Sequence, residues 1–142
     1  MKFDVSQDGT KLFVFGGTNN EIYRYSMPAW DITSASFDTG QELSLSATDV
    51  ECRGVSISDD GSNIFTVGNT ATEHVYNYGL STPYDLTTPV LTTLKFDVSG
   101  FTASPQDVSF SPSGRRMYLI EDVNDVVAMY YTGNVVAPED AA

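Results

Sequence analysis

Short runs of alternating apolar and small polar residues recur along the chain, with the spacing of a pleated strand that buries one face. Each run leads into a serine-containing turn that closes at a glycine, and a second apolar run follows; the glycines are Gly9, Gly61 and Gly114. Glycine adopts positive φ without a steric clash, and Asp or Ser side chains bond nearby backbone, so we predict a β-hairpin at each turn. No window keeps an apolar period of about 3.6 residues, so we expect single helical turns at most.

The pattern repeats three times, because the turn glycines recur at intervals of 52 and 53 residues. A third strand is predicted in each repeat. We predict that Tyr25, Tyr78 and Tyr131 occupy equivalent positions on these three strands. A period near fifty residues with strand-turn-strand content is typical of a β-propeller or a related β array. The sequence therefore predicts an all-β single domain, 1–142, of three tandem antiparallel, blade-like repeats. These are placed at 1–54, 55–107 and 108–133, followed by a short C-terminal tail at 134–142.

Two repeats share a further element, which we call the tag. It reads Pro-Ala-Trp-Asp-Ile-Thr at 28–33 and Thr-Pro-Tyr-Asp-Leu-Thr at 82–87. A fourth strand is predicted after each tag, within 36–45 and 90–98. The third repeat has neither a tag nor a predicted fourth strand.

The successions SxDGxKLFV…EIYRYSMPAWDIT and SDDGSNIFTV…HVYNYGLSTPYDLT resemble a propeller-type repeat family. That family is frequent in structural proteins and fibres of bacteriophages and occurs in some bacterial surface proteins. The resemblance runs from Phe3 to Tyr131, and the third repeat departs from it by lacking the tag. It implies a non-enzymatic virion structural protein, either a capsid decoration protein or a tail or fibre component. The implied location is the virion, after synthesis in the host cytoplasm.

Three repeats fall short of a closed propeller, which typically has about 4–8 blades. Strand edges left open at the ends of such an array invite pairing with another chain. We therefore expect a homo-oligomer joined through β edges or inter-blade faces, in which two chains would give about six blades. The alternatives are a piece of a longer protein and a flatter β-sandwich.

The chain is strongly acidic, with 19 Asp and Glu against 7 Lys and Arg and a net charge of −12. Such a charge repels nucleic-acid phosphates and anionic membranes. No signal-peptide pattern precedes the first strand, and no apolar run approaches the length of about 18 residues that suggests a membrane span. The expected partners are other virion proteins, with no nucleic acid and no membrane.

Residues for catalysis are sparse. Cys52 is the single cysteine and His74 the single histidine, so neither a disulfide nor a histidine metal cluster can form within one chain. Neither a Gly-x-Ser-x-Gly elbow nor a nucleotide-binding loop occurs. We expect no enzyme, no metal and no cofactor, and a lactonase-like propeller enzyme is disfavoured because its ligand set is missing. Asp8 with Asp59 and Asp60 could hold Ca²⁺, but their turn-forming role already explains them.

The aromatic residues of the tags are the candidate binding residues. Trp30 and Tyr84 occupy the same place in the two tags and are followed by Asp31 and Asp85. Exposed aromatic rings beside carboxylates can stack on sugars, so a receptor- or glycan-binding module of a tail fibre or bacterial surface protein is the alternative function. The structural interpretation is that each ring fills the gap between adjacent blades. Gly9, Gly61 and Gly114 are assigned structural roles in the turns.

Overall fold

The computed structural model describes residues 2–16, 18–48, 51–68, 73–101 and 104–132, so the predicted tail at 134–142 lies outside the described residues. Within these ranges the strands are β1 (Lys2–Val5), β2 (Lys11–Gly16), β3 (Glu21–Ser26), β4 (Ser36–Ser44), β5 (Cys52–Ile57), β6 (Asn63–Gly68), β7 (His74–Leu80), β8 (Pro89–Asp97), β9 (Pro105–Phe110), β10 (Arg116–Glu121) and β11 (Val126–Tyr131). A single 3-10 turn at Ile32–Ser34 joins β3 to β4. Among the described residues, no helix is long and apolar enough to cross a membrane.

The strands form three antiparallel sheets in chain order, which we call blades 1, 2 and 3. Blade 1 has the order β1-β2-β3-β4 and blade 2 the order β5-β6-β7-β8. Blade 3 has the order β11-β10-β9 in the part of the chain that the structure describes. The prediction of an all-β chain with three blade-like repeats is confirmed. The fourth strands β4 and β8 also lie where the sequence predicted them.

Each sheet has two faces, because successive side chains of a strand point to opposite sides. We call the face that packs on the following blade the forward face and the opposite one the rear face. The forward face of blade 1 packs on the rear face of blade 2 in one apolar cluster, which includes Phe13, Phe15, Ile22, Leu43, Val55, Ile64, Tyr78 and Leu80. A second cluster joins blades 2 and 3 and includes Val67, Val75, Val108, Met117 and Leu119. The core therefore lies between the blades.

Polar contacts fix the junction between blades 1 and 2. The carboxylate of Asp4 accepts a hydrogen bond from the backbone N–H of Ile57 at 2.8 Å. Burial raises the pKa of Asp4, and this backbone bond opposes the rise. The side-chain amide of Gln41 donates to Asp85, while its oxygen accepts from the N–H of Leu86. These hydrogen bonds fix the orientation of blade 2 relative to blade 1.

The first strands of the blades lie side by side, β1 next to β5 and β5 next to β9. This brings Lys2 of blade 1 within 2.9 Å of the carboxylate of Asp107 in blade 3. The fourth strands β4 and β8 and the last strand β11 end their sheets on the other side. The three sheets therefore converge at their first strands, as blades do around a propeller axis.

One predicted match was wrong. In the sheets, Tyr25 pairs with Leu12, Tyr78 with Ile64, and Tyr130 with Met117, whereas Tyr131 pairs with Arg116. The β6–β7 connection is one residue longer than the connections in the other two blades, so equal spacing from the glycine misplaces the last tyrosine. Tyr130 packs with the core, and Tyr131 points to the other face.

Gly54 provides a test of the junction between blades 2 and 3. A Cβ at this position would lie 2.6 Å from the Cα of Asp107 and 2.9 Å from the backbone nitrogen of Val108. Because backbone atoms cannot move aside easily, we expect Gly54→Ala to lower the free energy of unfolding by about 2 kcal/mol. Urea denaturation measures the change. The matched control is Gly100→Ala, where an added Cβ meets nothing within 4 Å; equal stability of the two variants would contradict this packing.

Candidate functional site

The three glycine turns have the same backbone geometry. Gly9, Gly61 and Gly114 have φ of +71°, +69° and +68°, a region that favours glycine. Each donates its N–H at 2.8 Å to the carbonyl of the serine three residues earlier. The turns are therefore equivalent backbone structures in all three blades.

Acidic side chains hold two of the turns together. The carboxylate of Asp8 accepts hydrogen bonds from the hydroxyl of Ser6, the hydroxyl of Thr10 and the N–H of Thr10. These bonds, led by the one from Ser6, lower the pKa of Asp8 from 3.8 to about 2. Asp60 is held in the same way by Ser58 and Ser62, and its pKa is also lowered. The two carboxylates thus stabilise their turns. In blade 3, Ser113 stands at the position that Asp8 and Asp60 occupy in blades 1 and 2.

The tags lay an aromatic ring on the glycine of the same blade. A Cβ on Gly9 would lie 2.5 Å from the Trp30 ring, and one on Gly61 would lie 2.6 Å from the Tyr84 ring. The N–H of Trp30 donates to the carbonyl of Gly9 at 2.9 Å, and that of Tyr84 to Gly61 at 2.8 Å. Both aromatic residues have positive φ, 63° and 62°, which is uncommon for bulky side chains. The two tags therefore make the same contact in the same backbone conformation.

The surroundings of the two rings differ because one of them has a preceding blade. Tyr84 lies in the junction between blades 1 and 2, with its ring centroid 6.1 Å from that of Phe13. Its carbonyl accepts from Arg24 of blade 1 at 2.7 Å, and burial raises the pKa of its hydroxyl. Trp30 covers Gly9 with one side but is 68% exposed, since no described blade lies before blade 1. Tyr84 therefore lies in the gap between adjacent blades, as the structural interpretation of the tags predicts. The ring of Trp30, by contrast, is exposed.

The carboxylates next to these rings are occupied by local bonds. Asp31 accepts from the N–H and the hydroxyl of Thr33 and caps the 3-10 turn, and its pKa is lowered by these bonds. Asp85 accepts from the N–H of Thr87 and from Gln41 of blade 1. The structure thus places each aromatic-Asp pair together, but both carboxylates bond their own chain.

Blade 3 keeps the turn without the covering ring. A Cβ on Gly114 would meet nothing within 4 Å. Beside this glycine lies a cleft of about 320 Å³ between the turns of blades 2 and 3. Its walls include Asp59, Asp60, Phe65, Phe110, Pro112 and Gly114. No motif in the sequence predicts this cleft. The third repeat does, however, lack the tag whose ring covers the glycine in blades 1 and 2.

The outer faces of the array carry exposed apolar side chains. On the rear face of blade 1, Phe3 is 70% exposed, and Phe37 packs edge-on against Tyr23. On the forward face of blade 3, Val127 is 61% exposed. Ile120, Met129 and Tyr131 share that face and are about half exposed. The sequence predicted contacts through strand edges or inter-blade faces, but it could not assign residues to a face, because that assignment requires the pairing register.

The remaining candidate residues have structural surroundings. Cys52 is buried in the junction of blades 1 and 2, and His74 begins β7 with its ring near Tyr76. Glu121 is 2% exposed and accepts from the backbone of the β10–β11 hairpin. Across the described ranges, no group of three or more His, Cys, Asp or Glu side chains is arranged to hold a metal ion.

Comparison with known proteins identifies the fold. No protein-family model and no curated protein matches the chain. The structure is similar to the Cps50 (Swd1) β-propeller domain of Myceliophteria thermophila, with a TM-score of 0.65, 10% identity, and coverage of 93% of this chain and 40% of that one. It is also similar to Kuenenia stuttgartiensis hydrazine synthase, with a TM-score of 0.61, 14% identity, and coverage of 92% of this chain and 32% of that one.

These likenesses define the class as a β-propeller module, and at such low identity they concern the fold alone. The chain spans two fifths or less of the length of these structural neighbours. It therefore corresponds to an arc of blades within the larger chains it resembles.

The two tag rings should differ in their effect on stability. We expect Tyr84→Ala to lower the free energy of unfolding by about 2–3 kcal/mol, because its ring packs on Phe13 and Gly61. Trp30→Ala should cost about 1 kcal/mol or less, since most of its ring is exposed. Thermal and urea unfolding of both variants measures the difference. A larger loss for Trp30→Ala would show that another surface covers this ring in solution.

Proposed function

We propose that this chain is a non-enzymatic structural component of a bacteriophage virion, a decoration, tail or fibre protein, that assembles in more than one copy. Its partners in this proposal are further copies of itself and other virion proteins. The proposed location is the virion. The repeat resemblance supports the virion role, and the fold supports a propeller module that works through its surfaces.

The observation that carries the proposal is the chemistry of the two outer faces. The rear face of blade 1 presents residues equivalent in the repeat to those that blade 2 buries against blade 1: Phe3 corresponds to Val55 and Tyr25 to Tyr78. The forward face of blade 3 places Tyr118 where Phe13 and Phe65 stand in the other blades. Apolar patches of this kind mark interaction surfaces.

One outer face of the array is a forward face and the other is a rear face. Within the chain, a forward face packs on a rear face at both junctions. A forward face of blade 3 can therefore pack on the rear face of blade 1 of another copy. Such head-to-tail contacts close into a ring when the rotation permits, and two copies would supply about six blades. The strands β1 and β11 each end a sheet, in blade 1 and blade 3 respectively.

A receptor- or glycan-binding module is the second candidate, and the exposed ring of Trp30 favours it. One side of the ring is free to stack on a sugar, but Asp31 beside it is held by Thr33. A glycan array with the chain and its Trp30→Ala variant tests this candidate. Retained assembly without glycan binding supports the structural role.

Charges placed on the outer faces test the assembly. We expect the chain to sediment as an oligomer, and Phe3→Asp and Val127→Asp each to shift it toward the monomer, because a buried unpaired charge opposes face packing. The matched control is Val123→Asp, a 67% exposed position in the β10–β11 hairpin that should leave the oligomer unchanged. Sedimentation velocity measures the size, and circular dichroism checks that each variant is folded.

A chain that stays monomeric at its highest soluble concentration would contradict the self-assembly. The virion role has its own test, which is mass spectrometry of purified particles from the phage that encodes this chain. The proposal expects the chain in stoichiometric amounts in the particle, and its absence from the particle would overturn the role.

A further inference from the structure

We propose that the Asp-Gly bonds at residues 8–9 and 60–61 are latent sites of a spontaneous covalent modification, isoaspartate formation, which each folded turn and its covering tag ring suppress. The two bonds occupy the same place in blades 1 and 2, and the sequence contains no other Asp-Gly bond and no Asn-Gly bond. The inference rests on the geometry of these turns and is independent of the virion role and of face-to-face assembly.

The reaction takes place between the glycine nitrogen and the side chain of the preceding aspartate. The nitrogen loses its proton and attacks the side-chain carboxyl carbon, a C–O bond of that carboxyl breaks, and one water leaves. The five-membered succinimide then takes up one water at either of its carbonyls and opens to aspartate or to isoaspartate. Glycine favours the attack because it has no Cβ to hinder the approach of its nitrogen.

The attacking nitrogen is engaged in both turns. In blade 1, the N–H of Gly9 donates to the carbonyl of Ser6 at 2.8 Å, and the carbonyl of Gly9 accepts from the N–H of Trp30 at 2.9 Å. Gly61 is held in the same way in blade 2, with both distances at 2.8 Å. Each glycine is thus fixed at both of its polar backbone groups, so its nitrogen is free to attack only after the turn opens.

The carboxyl that would be attacked is also engaged. One oxygen of Asp8 accepts three hydrogen bonds of 2.7–2.9 Å from Ser6 and Thr10, and one oxygen of Asp60 accepts three of 2.6–3.0 Å from the equivalent residues of blade 2. These bonds stabilise the ionised form and lower the pKa of both carboxyls. An ionised carboxylate accepts a nucleophile less readily than the neutral acid, so the bonds slow the attack.

The tag ring is the third element of the protection. The Trp30 ring would lie 2.5 Å from a Cβ on Gly9, and the Tyr84 ring 2.6 Å from one on Gly61. Rotation of the Asp-Gly peptide, which the attack requires, moves the glycine backbone against this ring. The turn of blade 3, which has no covering ring, carries serine in place of aspartate and therefore cannot react in this way.

Isoaspartate would disrupt the turn in which it forms. The main chain then runs through the aspartate side chain and is one carbon longer, while the carboxylate that accepted the three hydrogen bonds becomes part of the backbone. At Asp60 the change would also displace the seat of Tyr84, whose ring packs near Phe13 of blade 1. Modification at this site would therefore loosen the junction between blades 1 and 2.

The first experiment compares the folded chain with unfolded references. The chain and synthetic peptides of residues 4–14 and 56–66 are incubated together near neutral pH, and isoaspartate is measured at each site by peptide mapping and mass spectrometry. We expect each site to react at least about tenfold more slowly in the chain than in its peptide, because reaction in the chain requires local opening.

Reciprocal variants separate the two sites. Trp30→Ala should raise the rate at Asp8 by at least about threefold and leave Asp60 unchanged, and Tyr84→Ala should do the reverse. Each variant thus contains its own control site. Thr10→Val removes one hydroxyl donor from Asp8 while leaving the ring in place, and it should accelerate the reaction at Asp8 alone. Circular dichroism before incubation checks that each variant is folded.

The proposal is overturned if the chain reacts as fast as the peptides, since the turns would then give no protection. It is also overturned if the two tag variants leave both rates unchanged. Equal acceleration of both sites by each tag variant would show that global unfolding controls the reaction and not the local ring, which would contradict the proposal as well.

Discussion

The contact between a tag ring and a glycine without a Cβ positions the tag in each complete repeat. It joins the first hairpin of a blade to the link that leads into its fourth strand, because Trp30 and Tyr84 donate their N–H groups to the glycines that their rings cover. The glycine and the aromatic residue of each contact both have positive φ, and these backbone conformations fix the geometry of the contact. The direction of β4 and β8, and the position of Tyr84 against Phe13 in the preceding blade, follow from it.

Face packing then extends the repeat into an array. A single four-stranded sheet cannot bury both of its apolar faces, so each blade depends on a neighbour on either side. Blade 2 has both neighbours, and its residues such as Ile64 and Val67 are fully buried. Blades 1 and 3 have one neighbour each among the described residues, and Phe3 and Val127 are exposed as a result. The surfaces that we propose to be functional are thus the faces that the array cannot cover itself.

Much of this architecture could be predicted from sequence, because local rules govern it. Alternating apolar positions and turn glycines located the strands, and the tags located β4 and β8. The rest depends on long-range pairing. Because the β6–β7 connection is one residue longer than the β10–β11 connection, the spacing of Tyr78 from its glycine does not carry over to blade 3, where Tyr130 and not Tyr131 faces the core. The burial of Glu121 and the pairing of Lys2 with Asp107 depend on the arrangement of whole blades. The cleft at Gly114 becomes visible only when the three turns are compared.

The most direct test of the turn–tag contact is the NMR chemical shift of the glycine Hα protons. A proton under the face of an aromatic ring is shielded by the ring current. The structure predicts strong upfield shifts for Gly9 and Gly61 and an ordinary shift for Gly114. Trp30→Ala should return the Gly9 signal to the ordinary range while leaving Gly61 shielded. Equal shifts for all three glycines, or a Gly9 signal that ignores Trp30→Ala, would contradict the account.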